Sequence, residues 1–168
     1  MPKKYQRHFL KAKEVKPILS EASEKLKVDF NQIFKNKVEL ELVETDFAEI
    51  FLINGKPLLF RIEGKILPTL VFNEISASMS KVVVDMGAVP YVCNGASVMA
   101  PGIVRFEGEF EKGDFVLVVD EKHGKAIALG EAAYDVDAAR KAGKGVVIQT
   151  VHFVGDKIWN FIKKPNST

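Results

Sequence analysis

The stretch Gly95-Ala96-Ser97-Val98-Met99-Ala100-Pro101-Gly102-Ile103 joins two glycines and a proline to small, uncharged side chains. Such a stretch makes a loop of specified backbone. Its exposed N–H groups can come close to a phosphate or a base. Asn94-Gly95 just before it is a helix stop, because both residues tolerate the left-handed conformation. Around the loop, Tyr91 and Met99 offer stacking and apolar contact, and Lys81, Arg105, Lys112, Lys144 and Lys157 offer positive charge. Exposed backbone, stacking surface and charge are the parts of an RNA-binding module. The competing reading of such a loop is a tight structural turn.

Other chemistries find less to work with. His8, His123 and His152 are far apart and form no cluster with cysteine, so no metal site is expected. Cys93 sits on the apolar face of a predicted helix and reads as core rather than nucleophile. No Gly-x-Ser-x-Gly, Walker or dinucleotide-binding spacing occurs, and no cofactor is expected. Asp85, Asp114, Asp120 and Asp135 fall at predicted strand ends, where caps and turns use carboxylates. The expectation is a protein that is not an enzyme.

The chain has 168 residues, 47% of them hydrophobic, which is ample for one domain or two small ones. Its net charge is +2, but residues 1–37 carry ten Lys/Arg against four Asp/Glu, so the basic character is concentrated at the N-terminal end. A single cysteine excludes an internal disulfide. No apolar run approaches membrane-spanning length, and the N-terminus lacks a signal peptide's apolar centre. The expected setting is cytoplasmic, away from membranes.

The elements that must position the loop follow from periodicity. Residues 4–10 suggest a short strand. Val15, Ile18, Leu19, Ala22 and Leu26 recur at helical spacing, which predicts a helix over 16–27 with Pro17 in its first turn. Asp29 is placed to cap a second, shorter helix carrying Phe30, Ile33 and Phe34. From Val38 the period becomes two, and Asn54-Gly55 between two apolar runs signals a hairpin. Pro68 marks the strand after Gly64 as an edge. Beyond residue 80, strands are predicted at 81–84, 103–110, 115–119, 126–132, 146–154 and 158–162. Short helices before Gly95 and at 137–142 interrupt them. Many short strands with regular turns indicate a small β-barrel. Only the last four residues read as a tail.

The order of these pieces resembles a known family. Val84-Asp85-x-Gly87-Ala88, then Asn94 to Ile103, then Gly113-Asp114, then Gly124-Lys125-Ala126-Ile127-Ala128-Leu129-Gly130 is similar to a PUA domain. That domain is the RNA-binding pseudobarrel of pseudouridine synthases and archaeosine transglycosylases. Phe51 to Arg61 with Leu67-Pro68-Thr69-Leu70 resembles the pre-PUA domain of the malignant-T-cell-amplified-sequence family, and Gly143 to Ile148 with His152-Phe153 and Asp156 to Trp159 resembles that family's C-terminal end. The chain is identified as a member of archaeal type. The resemblance implies an α+β protein of two domains. Residues 1–80 would form a pre-PUA unit of two helices on a small antiparallel sheet, and residues 81–168 a PUA mixed-sheet pseudobarrel. It implies a non-enzymatic RNA-binding protein acting in translation initiation or re-initiation, at the small ribosomal subunit or on tRNA. An accessory PUA subunit of a tRNA-modifying enzyme is the alternative. The RNA partner would be tRNA or small-subunit rRNA, and an initiation-factor-like protein would bind through residues 1–80. The RNA-binding residues so implied are Gly87, Ala88, Tyr91, Gly95, Ala96, Ser97, Met99, Pro101, Gly102, Arg105, Lys144, Val147 and Gln149.

Overall fold

The structure is a computed structural model and describes residues 5–164. The chain divides into two units. One runs to Ile75 and resumes at Phe161, and the other is Ser76–Asn160.

The first unit carries β1 (Gln6–Phe9), α1 (Ala12–Leu26), α2 (Phe30–Ile33) and then β2 (Leu40–Glu44), β3 (Glu49–Ile53), β4 (Lys56–Ile62) and β5 (Lys65–Pro68). The five strands form one antiparallel sheet in the order of the chain. Asn54 and Gly55 both have positive φ, 51° and 85°, as a two-residue hairpin turn requires, and β5 with Pro68 is an edge, as expected. α1 packs against β5, and Phe51, Phe60, Phe72, Ile50 and Leu59 are fully buried. Burying a side chain of that size stabilises the unit by about 1.5–3 kcal/mol. Asp29 caps α2, accepting the Asn31 N–H at 2.9 Å.

One expectation here is corrected. α1 starts at Ala12, with the Lys11 N–H donating to Glu14 Oε1 at 3.0 Å. Pro17 therefore lies inside the helix rather than in its first turn. It is tolerated because it sits on the exposed face, where water can take the carbonyl it leaves unbonded.

The second unit opens on the last residue of α3 (Asn73–Ser76), a single turn that the pattern did not announce. It continues with β6 (Lys81–Val84), α4 (Val89–Val92), β7 (Val98–Met99), β8 (Ile103–Glu107), β9 (Phe115–Asp120), β10 (Ala126–Ala132), α5 (Val136–Lys141) and β11 (Val146–Phe153). Its mixed sheet has the order β7-β11-β10-β9-β6-β8, with β6 and β9 parallel. β7 and β8 are successive in the chain yet form opposite edges. A flat six-stranded sheet would hold its edges about 24 Å apart. The link from Met99 to Ile103 reaches about 14 Å at full extension. The sheet must therefore curl until its edges approach, and the result is a pseudobarrel. Its core takes in Val82, Val84, Val116, Val118, Val147 and Ile148.

A second correction concerns residues 158–162, read as a strand. They belong to α6 (Lys157–Ile162). A five-residue run with four apolar residues does not distinguish helix from strand. The deciding residue is Asp156, which accepts the Trp159 N–H at 2.7 Å and the Phe153 N–H at 3.0 Å, and lies 2.8 Å from Nδ1 of buried His152. Burial pushes the Asp156 carboxyl up, but the His152 hydrogen bond and charge and the two backbone N–H groups outweigh it, and its pKa lies below the ordinary carboxylate value. The tail read at the C-terminus lies outside the described residues.

Candidate nucleic-acid interface

The loop is built from both ends. Asp85 fixes its entry: Oδ1 accepts the Ala88 N–H at 2.8 Å, and the Asp85 N–H donates to Gly102 O at 2.9 Å. α4 ends with the Asn94 and Ala96 N–H groups both on Tyr91 O, and with Gly95 at φ 94°. A Cβ at Gly95 would lie 3.2 Å from Cζ of Phe153, so the loop backbone rests on that ring. A Cβ at Gly102 would lie 3.2 Å from Cβ of Ala88, which brings Gly87-Ala88 and the loop's far end together.

The loop is more regular than its composition suggests. Val98 and Met99 pair with β11, facing Ile148 and Val146, and Ala100–Gly102 form one 3₁₀ turn. The Ala100 N–H donates to Gly145 O at 2.9 Å, and Thr150 Oγ1 donates to Ala96 O at 2.9 Å. The stretch is thus the seam of the pseudobarrel, tied to β11 on one side and β6 on the other.

Most of the residues singled out do surround this seam. Tyr91 is 70% exposed and Met99 47%, the two largest apolar surfaces beside the loop, with Val146 also exposed across from Met99. Gly87, Gly95, Ala96, Pro101, Lys144 and Gln149 are exposed, while Ala88, Ser97 and Gly102 are half-buried. Lys144 adjoins Gly145, whose carbonyl holds the turn. Val147 is different: its side chain is fully buried in the core, so it can only position its neighbours. Arg105 lies on β8, at the other edge of the sheet from β7, and its Nε donates to Glu107 Oε2 at 3.0 Å. Lys81 turns back, its Nζ donating to Met79 O at 2.9 Å. Lys112 sits on the β8–β9 connection and Lys157 at the start of α6.

The carboxylates at strand ends hold turns and caps. Asp114 accepts the Glu111 N–H at 2.9 Å, Asp135 accepts the Ala138 N–H at 2.8 Å, and Asp120 accepts the N–H groups of His123 and Lys125. Cys93 is half-buried. Burial pushes its thiol up against the opposing effect of Lys125, which is the reverse of an activated nucleophile. Among the described residues no group of three or more His, Cys, Asp or Glu is placed to hold a metal ion, and no helix is long and apolar enough to cross a membrane.

One further residue near the seam carried no sequence signal: Arg140 shares a cleft with Ala100 and Arg105, a proximity that only the tertiary fold creates.

Comparison with known proteins agrees with this geometry. The PUA domain matches residues 80–154, and a domain of unknown function, DUF1947, matches residues 6–73. The chain is 41% identical over 159 residues to the uncharacterized protein MJ1432 of Methanocaldococcus jannaschii, covering 92% of this chain and 96% of that one. It is 28% identical over 160 residues to translation machinery-associated protein 20 of Saccharomyces cerevisiae, covering 90% and 86%. The crystal structure of a PUA domain protein from Aeropyrum pernix superposes with a TM-score of 0.83 at 29% identity, over 96% of this chain and 92% of that one.

Proposed function

The chain belongs to the two-domain PUA family that includes translation machinery-associated protein 20 and malignant T-cell-amplified sequence 1, and from that premise we propose that it is a non-catalytic RNA-binding protein of the cytoplasmic translation apparatus. It acts in initiation or re-initiation, on tRNA or on the RNA of the small ribosomal subunit. The observation that carries the reading is the seam itself. Rigid backbone, fixed by bonds to β11 and β6, stands between an exposed tyrosine and an exposed methionine with Lys144 adjacent. Stacking surfaces specify how bases sit, and lysines hold phosphates.

The same reading gives residues 81–168 the RNA and residues 1–80 a protein partner of initiation-factor type. What supports the second assignment is a groove of about 1200 Å³ in the first unit, where Phe9, Val15, Leu19 and Phe34 meet Lys16 and Lys27. Phe9 is 61% exposed there.

The test is binding of tRNA and of small-subunit RNA at low salt, followed by filter retention. Tyr91→Ala removes an exposed ring without touching the core, and base stacking is worth about 1–3 kcal/mol, so affinity should fall by about 5- to 150-fold. Gly95 is a poorer probe, because any side chain there strains the backbone and meets Phe153. Wild-type protein that retains neither RNA ends the proposal. Co-purification with a catalytic subunit instead of ribosomal particles would favour an accessory role in tRNA modification.

A further inference from the structure

The seam has a second flank. A cleft of about 390 Å³ lies beside the 3₁₀ turn, lined by Ala100, by Arg105 and Phe106 of β8, and by Ala139 and Arg140 of α5. The two arginines come from separate elements and line one opening. Each is committed to a carboxylate by one N–H group: Arg105 Nε to Glu107 at 3.0 Å and Arg140 Nη1 to Asp137 at 3.2 Å. Both pairs are exposed, and such pairs contribute little. A guanidinium has five N–H donors in a planar fork that matches a phosphate, so each keeps donors for a second acceptor. The other lining side chains are apolar in type: half-buried Phe106, held at 6.0 Å from Phe110, and exposed Val104 carry the apolar surface, while Ala139 belongs to the core.

Size decides between ligands. The cleft falls within the range of sites for small organic molecules, about 300–1,000 Å³. A lone inorganic phosphate would leave most of it unfilled, whereas a nucleotide would extend its sugar and base from the arginines toward Phe106 and Val104. We infer that this cleft binds one nucleotide unit, with its phosphate between Arg105 and Arg140. The unit has two sources, a residue of an RNA chain that crosses the seam or a free mononucleotide. The first source rests on the RNA-binding reading above, and the second does not.

The experiment has two arms, both on the full chain. In the first, tRNA affinity and its salt dependence are measured for Arg105→Ala, Arg140→Ala, the double variant, Tyr91→Ala, and Lys141→Ala. Lys141 is an exposed cation on α5 that does not line the cleft. Each arginine variant should bind about 3- to 10-fold more weakly at 0.1 M salt and lose about 0.7 from the slope of log K against log salt, the signature of one lost phosphate contact on a single strand. Lys141→Ala should change affinity less than twofold. In the second arm, 5′-AMP is titrated against ¹⁵N-labelled protein while the Arg Nε–H and residue 139–142 signals are followed. Shifts at both arginines, absent in the double variant, identify the cleft as a nucleotide site.

Loss in the first arm supports the RNA source. Shifts from AMP without any tRNA binding support the free nucleotide and remove the RNA-binding reading. Arginine variants that match Lys141→Ala, with no AMP shifts, overturn the inference, and a weakened Tyr91→Ala in that same series leaves the RNA-binding reading standing.

Discussion

Gly130 shows how little room a single residue has in the pseudobarrel. A Cβ at that position would collide with Cγ2 of Ile148 and lie 2.8 Å from Gln149 O, in the stretch of β10 where the register with β11 shifts. Gly130→Ala should therefore destabilise the protein by about 1–3 kcal/mol, the usual cost of overpacking a tight core. A denaturant titration reads this directly, and an unchanged midpoint would refute it. Exposure around the seam was legible from residue type, since Tyr91, Met99 and Lys144 stand exposed by the loop. Val147 and Arg105 were less so. Val147 lies in the core beside Ile148, where the pairing of β11 with β7 shifts register. β8 carries Arg105 to the other edge, where Arg140 is its neighbour across the cleft. Neither placement is contained in local sequence, because each depends on which strands become neighbours.

Elements were legible where the pattern was long or the turn chemistry specific. The hairpin at Asn54-Gly55 and the cap at Asp29 needed only their own residues. α6 was missed because four apolar residues in a run of five fit either period, and its cap, Asp156, is an ordinary residue type for a turn as well. That carboxylate makes a testable element. Asp156→Ala removes the N-terminal bonds of α6 and one partner of buried His152. The expected loss is about 2–4 kcal/mol, from a cap and a buried hydrogen bond together. The pH dependence has a definite sign. The folded pKa is held below the unfolded value of about 3.9, so the contribution is complete above that value and disappears as pH falls through the lower, folded one. Wild-type melting temperature should drop on acidification below about pH 4, and Asp156→Asn should flatten that part of the curve. A variant with the wild-type acid profile would show that the carboxylate is not the responsible group.

At the scale of the whole molecule, the fold class was visible in the change from helical to alternating period near Val38 and in the ordered glycines from Gly87 to Gly130. Closure of the second sheet was not visible, because it follows from the length of one link. That closure has a consequence for the order of assembly. In the first unit β2, β3, β4 and β5 pair with the strands next to them in the chain, so each pairing closes a short loop. The seam instead waits for its last strand, since Thr150 reaches Ala96 across 54 residues and Met99 pairs with Val146. Distant pairings carry a larger loop-closure entropy and form later. In pulse-labelled hydrogen exchange during refolding, amides of β3 and β4 should gain protection before those of Ala96, Ala100 and Ile148, and simultaneous protection would count against this order. During synthesis, then, a nascent chain holds no finished seam until β11 has left the ribosome.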